Sequence, residues 1–397
     1  MKSKKRKNGL KEIFVFLSII LLGVFYSCTN STKSNPNSIS FERNLTAVNL
    51  EKNDNVSIYD FFSKIEIIPL ETNSNSLLTF PIGEPDRVIV NERKYYFLDD
   101  MQQAIIVFDE DGKFLNKIDH KGMGPEEYVS IKDFNINRFT KNIEILSPQG
   151  GYINIYDASG NTFIERLRFP SDMPTVHFFH HLTPDTYTFL SIAREVEMLF
   201  YSKKDNKFIK NSYNLPQWVT RSIFSPSKNP FYIYNDTLCY SQMYNGSVFE
   251  ISPADRELNF RYSWDFGKNN FDLLSIFSDE ESREGGLNSS KISMNYAILF
   301  LVYKENLNYY FTRFKFKNRH IHLVLNKITG EYFLFEKFAE GGQLLPMWLD
   351  ENAAYTFVPP AYLHLVINQS VLDEENKLKY NQIKEDDNPV VIKYTLK

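Results

Sequence analysis

The stretch Ile105-Ile-Val-Phe-Asp-Glu-Asp-Gly-Lys-Phe-Leu-Asn-Lys-Ile118 decides the fold of this chain. Two apolar runs flank an Asp-Gly pair, and that arrangement is a strong signal for a β-hairpin. The same order returns at Ile153-Asn-Ile-Tyr-Asp-Ala-Ser-Gly-Asn-Thr-Phe-Ile-Glu-Arg166, so that Asp109 and Asp157 are 48 positions apart. Weaker copies follow at 199–209, 248–258 and 323–333. The chain is therefore built from a repeated hairpin unit.

Each of the first two hairpins is preceded by two further strand-like runs. These runs lie at 86–90 and 94–98 for the first unit, and at 131–136 and 142–146 for the second. Four antiparallel strands in about 40 to 50 residues is the period of a β-propeller blade. The run Ala104-Ile-Ile-Val-Phe108 is apolar on both faces, as expected for a blade packed between two neighbours. An immunoglobulin-like sandwich would show cleaner alternation and no such repeat.

Five hairpins are complete, and the sixth unit is divided between the chain ends. The run Asn388–Leu396 lacks a following partner, and Ile65–Leu70 lacks a preceding one. Pairing them closes the ring and removes two exposed strand edges. The sequence thus predicts an all-β, six-bladed β-propeller with four antiparallel strands per blade, the last blade closed by the N-terminal strand. We assign the propeller to 58–397, with insertions near 266–294 and 359–387.

The N-terminal segment has the pattern of an export signal. Six basic residues precede the apolar run Ile13–Tyr26. Its 14 residues would form about 21 Å of helix, whereas a bilayer core measures about 30 Å. The run ends at Ser27-Cys28, which resembles a bacterial lipobox. We therefore predict a lipoprotein signal peptide at 1–27, lipidation of Cys28 and a lipid-anchored polar linker at 28–57; the alternative is an ordinary cleaved signal.

Charge and cysteine content narrow the range of partners. The segment 1–27 carries six of the 45 basic and one of the 49 acidic residues, so the mature chain has a net charge of −9. This balance argues against nucleic acid, which selects a basic surface. An acylated Cys28 would leave Cys239 without a disulfide partner. Because Thr29 is not acidic, we expect attachment to the bacterial outer membrane through the lipid, on the periplasmic face, with surface exposure left open.

Several segments together resemble a known family. They are Ile65-Glu-Ile-Ile-Pro-Leu-Glu71, the hairpin at 105–118, Gly122-Met-Gly-Pro-Glu-Glu-Tyr128 and the terminal Val391-Ile-Lys-Tyr394. They look like the six-bladed β-propeller lipoproteins related to NHL-repeat propellers, most clearly over 58–170. The family connector reads Gly-x-Gly-Pro-Gly-Glu-Tyr, and here Glu126 replaces its third glycine. The resemblance implies a bacterial envelope lipoprotein and assigns no catalytic residue.

Loop lengths predict which face of the propeller carries function. The turns between first and second strands and between third and fourth strands are short, whereas the connectors on the opposite face include 215–229, 266–294 and 359–387. Long connectors on a rigid scaffold are common places for binding sites. The candidate ligand-binding residues are Trp218, Arg221 and Trp348 on long connectors, Glu127 and Tyr128 in the connector 122–128, and Arg87, Lys132 and His177 near the ends of inner strands.

The motif 122–128 is better explained by turn formation than by catalysis. It lacks the Gly-Lys-Ser/Thr of a phosphate-binding loop. The adjacent carboxylates of Glu126 and Glu127 would point apart in an extended segment. We expect the glycines and Pro125 to shape a corner while Tyr128 packs.

The sequence contains no standard metal or nucleophile motif. His177, His180 and His181 form the densest histidine cluster, but their spacing matches no common metal site. There is also no Gly-x-Ser-x-Gly segment. We therefore assign no catalytic residue, no metal and no cofactor.

Two functions from different classes remain. We favour a non-enzymatic binding or scaffold module for a glycan, a peptide or a partner protein of the envelope. The alternative is a glycan-active lyase or hydrolase with its site at the central channel. The fold does not discriminate between them, because propellers serve both classes.

Overall fold

The computed structural model describes residues 44–79, 87–171, 174–191, 196–214, 228–242, 245–276 and 288–397. The described strands form six β-sheets, each with four antiparallel strands, and one of these sheets has a fifth strand added in parallel at its edge. Five sheets follow the chain order, whereas the sixth combines an N-terminal strand with the last three strands. The first strands of successive sheets contact each other, as Arg87–Asn91 contacts Asp133–Ile136 and Asp133–Ile136 contacts Phe178–Thr183. The prediction of an all-β, six-bladed propeller is confirmed.

The first three blades run outward from the channel in chain order. Their strands are β3 (Arg87–Asn91), β4 (Lys94–Asp99), β5 (Ala104–Asp109) and β6 (Phe114–Ile118) in blade 1; β7 (Asp133–Ile136), β8 (Ile143–Ser147), β9 (Tyr152–Tyr156) and β10 (Phe163–Arg168) in blade 2; and β11 (Phe178–Thr183), β12 (Thr186–Leu190), β13 (Val196–Ser202) and β14 (Lys207–Asn214) in blade 3.

The last three blades include two strands from the N-terminal part of the chain, β1 in blade 4 and β2 in blade 6. Their strands are β15 (Phe231–Tyr234), β16 (Thr237–Ser241), β17 (Val248–Ile251), β18 (Leu258–Asp265) and the added β1 (Asn44–Ala47) in blade 4; β19 (Ile298–Glu305), β20 (Tyr309–Phe316), β21 (Arg319–Asn326) and β22 (Tyr332–Phe335) in blade 5; and β23 (Trp348–Leu349), β24 (Ala353–Val358), β25 (Val390–Leu396) and β2 (Phe62–Pro69) in blade 6.

Tight hairpins join the strands on one face of the propeller, which we call the tight-turn face. Glu92 and Arg93 both have positive φ between β3 and β4, as do Asn235 and Asp236 between β15 and β16. Positive φ at both central residues matches the right-handed twist of the flanking strands. In the hairpin that revealed the repeat, Gly112 has φ +84°, and an added Cβ would lie 2.3 Å from the carbonyl oxygen of Pro69. That position therefore requires glycine.

Blade 6 closes the ring as predicted. β25 lies between β24 and β2, with Ile67 opposite Ile392 and Pro69 opposite Val390. The free edge of β2 is covered by the helix Glu374–Gln382, because the Ile67 amide donates to the Asn376 side-chain oxygen at 2.7 Å. Covering an edge in this way prevents unwanted pairing with another strand.

The segment that we assigned to the linker differs from that expectation between residues 44 and 57. β1 pairs in parallel with β18, and the Val48 and Leu50 side chains are buried beside blades 4 and 5. The chain then crosses blade 5, where the Asp54 amide donates to the Leu334 carbonyl oxygen at 2.7 Å. The apolar alternation at 45–50 is too short to be recognised as a strand, so the sequence alone suggested a linker.

Long segments occupy the opposite face, which we call the long-loop face. Between β18 and β19 lie the 3₁₀ turn Gly267–Asn269 and the helical turns Leu273–Ile276 and Ser289–Ile292. Between β24 and β25 lie the 3₁₀ turns Pro360–Tyr362 and Gln369–Val371 and the helices Leu363–Val366 and Glu374–Gln382. In the described residues, no helix is long and apolar enough to cross a membrane.

Aromatic side chains fill the spaces between blades. Phe97 of blade 1 meets Phe357 of blade 6 edge to face, with ring centroids 5.3 Å apart. Tyr262 of blade 4 stacks on Tyr310 of blade 5 at 3.9 Å. Such pairs stabilise beyond the area they bury. They fix neighbouring blades in register and so hold the inner strands around a common axis.

Candidate functional site

The inner strands of all six blades enclose a central cavity of about 330 Å³. Its walls come from β3, β7, β11, β15, β19 and β23 and the residues that flank them. This volume is in the range of small-ligand sites. The polar side chains that line it are Arg87, Asn91, Asn135, Arg138, His180, Lys228, Asn229, Asp236, Lys304 and Glu305.

The wall of this cavity carries more cations than free carboxylates. Arg87, Arg138, Lys228 and Lys304 face only two lining acids, of which Glu305 is fully buried in a network of its own. Cations from four different blades thus converge on one enclosed volume. Such an arrangement attracts anions, because a low-dielectric wall strengthens the field of the charges in it.

Glu305 is neutralised by groups outside the cavity. Its carboxylate lies 2.6 Å from Arg261 Nη2 and 2.9 Å from Lys327 Nζ, and it accepts from the Tyr232 hydroxyl at 2.9 Å. These contacts join blade 4 to blade 5 at the end of β19. The Glu305 carboxylate is therefore committed to the blade interface.

The Asp133 carboxylate, at the start of β7, is also held by neighbouring residues and is not free to pair with Lys304. Its Oδ1 lies 3.0 Å from Arg87 Nε, and its Oδ2 accepts from the Asn229 side chain at 2.9 Å and from the Phe179 amide at 3.1 Å. Burial raises the pKa of Asp133 to about 6, while the nearby Arg87 charge opposes that rise. One carboxylate thus ties blades 1, 3 and 4 to blade 2.

Lys304 differs from the other cations of the cavity. Within the described part of the chain its ammonium has no hydrogen bond and no ion pair to a carboxylate. Burial, together with the charges of Arg87 and Lys228, lowers the pKa of Lys304 to about 8. An anionic ligand would gain the most binding free energy beside Lys304, because it would relieve the repulsion of this amine by the Arg87 and Lys228 charges.

His180 adds a neutral polar group to the same wall. Its ring Nδ1 lies 3.2 Å from the His181 carbonyl oxygen, and burial holds its pKa well below the usual range. The neighbouring His181 is turned away, since its Nε2 contacts the buried Glu144 carboxylate at 2.7 Å. The histidine cluster is therefore divided between the cavity and the blade interface, and in the described residues no three His, Cys, Asp or Glu side chains are grouped as for a metal ion.

The connector 122–128 forms a corner closed by its own glutamate. Glu127 accepts a 2.7 Å hydrogen bond from the Gly124 amide, and a Cβ on Gly122 would lie 1.9 Å from its Oε2. Glu126 has no positive φ, so the loop tolerates its replacement of the family glycine. Tyr128 is fully buried and its hydroxyl donates to the Gln103 carbonyl oxygen at 2.9 Å, which leaves no surface for a ligand.

The other candidates are only partly brought together. Arg87 and Trp348 both line the cavity. Trp348 lies in β23, not on a connector as the sequence suggested, because the two-residue inner strand was too short to recognise. Lys132 and His177 form a separate pair, in which burial first and then the Lys132 charge lower the pKa of His177.

Two candidates, Trp218 and Arg221, lie outside the described residues. Sequence reasoning missed Lys304, Lys228, Arg138 and His180 as a cluster. A signal was present for Lys304, which stands as a single cation near the end of the otherwise apolar run Ile298–Tyr303. The inner strands come from distant parts of the chain, so their convergence needs the ring to be known.

Comparisons with known proteins include one family match and two structural matches. A family model described as a domain of unknown function, DUF4934, matches residues 42–395. A crystal structure of a Bacteroides fragilis protein described as a candidate exported protein aligns with a TM-score of 0.68 and 14% identity, covering 89% of this chain and 99% of the other. A DUF4221 family member from Bacteroides vulgatus aligns at a TM-score of 0.47 and 12% identity, covering 87% and 99%.

At 14% identity, the likeness to the Bacteroides fragilis protein shows the propeller fold alone. No curated protein matches the sequence. The resemblance to the NHL-related lipoprotein family is not confirmed by these matches, which support a propeller with the DUF4934 domain.

Proposed function

The chain belongs to the DUF4934 family, a domain of unknown function, and we propose that it is a binding protein that takes an anionic ligand into the central channel of its propeller. The observation that carries this proposal is Lys304, a cation in a cavity of about 330 Å³ that has no carboxylate partner in the described residues. Lys304 is half-buried in the cavity wall, and a partly desolvated charge without a partner is costly, so a ligand anion would relieve part of that cost.

The surrounding charges select for the same chemistry. The carboxylates that could neutralise Lys304 are held elsewhere, Asp133 by Arg87 and Glu305 by Arg261 and Lys327. Lys304 is therefore left without a carboxylate partner in the described residues, and the nearby charges of Arg87 and Lys228 add to the positive field around it. A carboxylate, sulfate or phosphate group on a glycan or a peptide fits this field.

Binding without turnover fits the arrangement of the acids. Asp133 has a raised pKa of about 6, as a general acid or base would need, but its oxygens already bind three partners. Glu127 closes its own loop through the Gly124 amide. These carboxylates stabilise the fold, and the cations of the channel are the groups that would contact the ligand.

We assign this binding function to the cell envelope. The basic start, the short apolar run and Ser27-Cys28 support export and lipidation at Cys28, with attachment to the outer membrane on the periplasmic side. Fractionation of cells that express Cys28→Ala should find soluble protein, with Ser31→Ala as the membrane-bound control. A Cys28→Ala protein that remained in the membrane fraction would contradict the anchor.

Calorimetric titration of the folded mature protein tests the channel site. The probes are glucuronate and N-acetyl-triglycine, each beside its neutral form, glucuronamide and N-acetyl-triglycinamide. We expect at least one acid to bind about tenfold more tightly than its amide, and Lys304→Met to remove that preference, because the deleted charge is desolvated. Lys377→Met, which removes an exposed cation on the helix Glu374–Gln382, serves as the control.

Two results would overturn the proposal. Equal affinity for acids and amides would remove the anion site, and a preference that survives Lys304→Met would place it elsewhere. Mass spectrometry of the recovered probes separates binding from turnover, and products formed by the wild-type protein but not by Lys304→Met would favour the enzyme.

A further inference from the structure

A second cavity, of about 490 Å³, lies at the tight-turn face directly against the first. The turns that follow β3, β15 and β23 form its rim. It shares Val90, Asn91, Ile233, Glu305, Trp348 and Leu349 with the central cavity. The two volumes are therefore parts of one passage, and the channel opens among the short hairpins.

The rim of this mouth has the opposite charge from the interior. Its acids are Glu92, Glu110, Asp350 and Glu351, against the two cations Arg93 and Lys393. Arg93 is paired with Glu110, Lys141 lies 3.4 Å from Glu92, and Lys393 lies 3.7 Å from Glu66. Asp350 and Glu351 are the two rim acids without such a pair in the described residues, so the mouth carries negative charge while Lys304 lies in the cavity beyond it.

Asp350 and Glu351 carry this negative charge at the β23–β24 turn. Asp350 Oδ1 accepts from the Asn352 and Ala353 amides at 2.8 Å, and Glu351 Oε2 accepts from the Leu307 amide at 2.9 Å. Across the described ranges neither carboxylate forms an ion pair. Backbone amides and, for Asp350, the Tyr355 hydroxyl fix their positions, and these neutral groups leave the two negative charges uncompensated.

We propose that the channel accepts a linear peptide from the tight-turn face, with its C-terminal carboxylate bound at Lys304 and a basic side chain of the peptide held at Asp350 and Glu351. This inference rests on the proposed function and specifies its ligand. Charges of both signs, arranged in order along one passage, fit a chain that carries a carboxylate at its end and a cation further back. Trp348 forms the wall where the two cavities meet.

The same charges disfavour the glycans that remain in question. A polysaccharide with repeated carboxylates or sulfates would bring like charges against Asp350 and Glu351. A neutral glycan would leave the Lys304 ammonium without a partner. A peptide also offers backbone groups to the Asn91 and Asn235 side chains at the rim.

Titration with four short peptides separates the two ends of the proposed ligand. The probes are N-acetyl-Lys-Gly-Gly-Gly with a free carboxylate, its C-terminal amide, and the same pair with Gln in place of Lys. We expect amidation to weaken binding about tenfold, and Lys-to-Gln replacement to weaken it about threefold, since the rim is more exposed than the channel. A double variant, Asp350→Asn with Glu351→Gln, should remove the Lys preference and keep the carboxylate preference.

The outcomes distinguish this inference from the function on which it rests. A carboxylate preference without a Lys preference would overturn the peptide assignment and leave the anion site intact. Loss of both preferences would overturn both. Tighter binding of a tetrameric oligogalacturonate than of the Lys peptide would assign the passage to acidic glycans, and folding of the double variant is checked by its thermal melting.

Discussion

Arg87 Nε lies 3.0 Å from Asp133 Oδ1, and this ion pair joins the first strands of blades 1 and 2 in the wall of the channel. The Asp133 side chain is 1% exposed and that of Arg87 is 14% exposed. A buried carboxylate depends on its partner, because it cannot be solvated by water. The pair thus both builds the wall and prevents Asp133 from neutralising Lys304.

Loss of the Arg87 charge should destabilise the propeller. We expect Arg87→Met to lower the free energy of unfolding by about 3 kcal/mol, the cost of leaving one buried charge unpaired. Urea denaturation measures the change. Arg93→Met is the matched control, because Arg93 pairs with Glu110 at the surface and exposed pairs contribute at most about 1 kcal/mol. Equal effects of the two substitutions would contradict the assignment.

The closure of blade 6 predicts a large loss of stability at one position of β25 and a small loss at the next. Ile392 is fully buried between blades, whereas the side chain of Lys393 is partly exposed. Ile392→Ala should lower the free energy of unfolding by about 2–5 kcal/mol and Lys393→Ala by less than about 1 kcal/mol, as urea denaturation would measure.

Deletion of 388–397 should abolish cooperative unfolding, because it removes the strand between β24 and β2. A truncated protein that melts at the parent temperature would rule out this closure.

The corner at 122–128 predicts a coupling between Gly122 and Glu127. A methyl group on Gly122 would displace the Glu127 carboxylate from the Gly124 amide, so Gly122→Ala should destabilise by about 1 kcal/mol, the contribution of that hydrogen bond. The cost should fall when Glu127→Ala is also present, since the obstructing group is then absent. A double-mutant cycle measured by urea denaturation gives this coupling. If the effects of Gly122→Ala and Glu127→Ala on the free energy of unfolding were additive, the two side chains would not interfere with each other, and the predicted coupling would be wrong.

The repeat made most of the fold predictable from the sequence. Asp-Gly turns between apolar runs located the hairpins, and the unpaired runs at the two ends located the closure. β1 was missed because its pairing with β18 involves only four residues distant in the chain. A hairpin can be recognised from neighbouring residues, whereas the pairing of β18 with a strand about 200 residues earlier in the chain cannot.

The site was less predictable for the same reason. Arg87 was found because it stands at the start of a recognisable strand, and Trp348 was placed on the wrong type of element. Lys304 and Lys228 come to lie in the same cavity as Arg87 only when blades 1, 4 and 5 meet around the channel. Glu127 was a ligand-binding candidate in a loop attributed to turn formation, and its carboxylate accepts a hydrogen bond from the Gly124 amide within that turn.

Binding of an anion at Lys304 should depend on pH in a defined direction. The pKa of Lys304 is lowered to about 8 in the empty channel, first by burial and then by the charges of Arg87 and Lys228. A bound carboxylate favours the charged amine and raises that pKa again. Affinity should therefore be constant below about pH 8 and decline above it, and binding above that value should take up a proton.

Calorimetric titration with N-acetyl-triglycine at about pH 8.5, in buffers of different ionisation enthalpy, measures that proton directly. We predict uptake of a large fraction of one proton by the wild-type protein, little uptake by Lys304→Met, and unchanged uptake by the Lys377→Met control. Binding of the acid by the wild-type protein with no proton uptake, at an affinity that does not change between about pH 7 and 9, would contradict an anion site at Lys304.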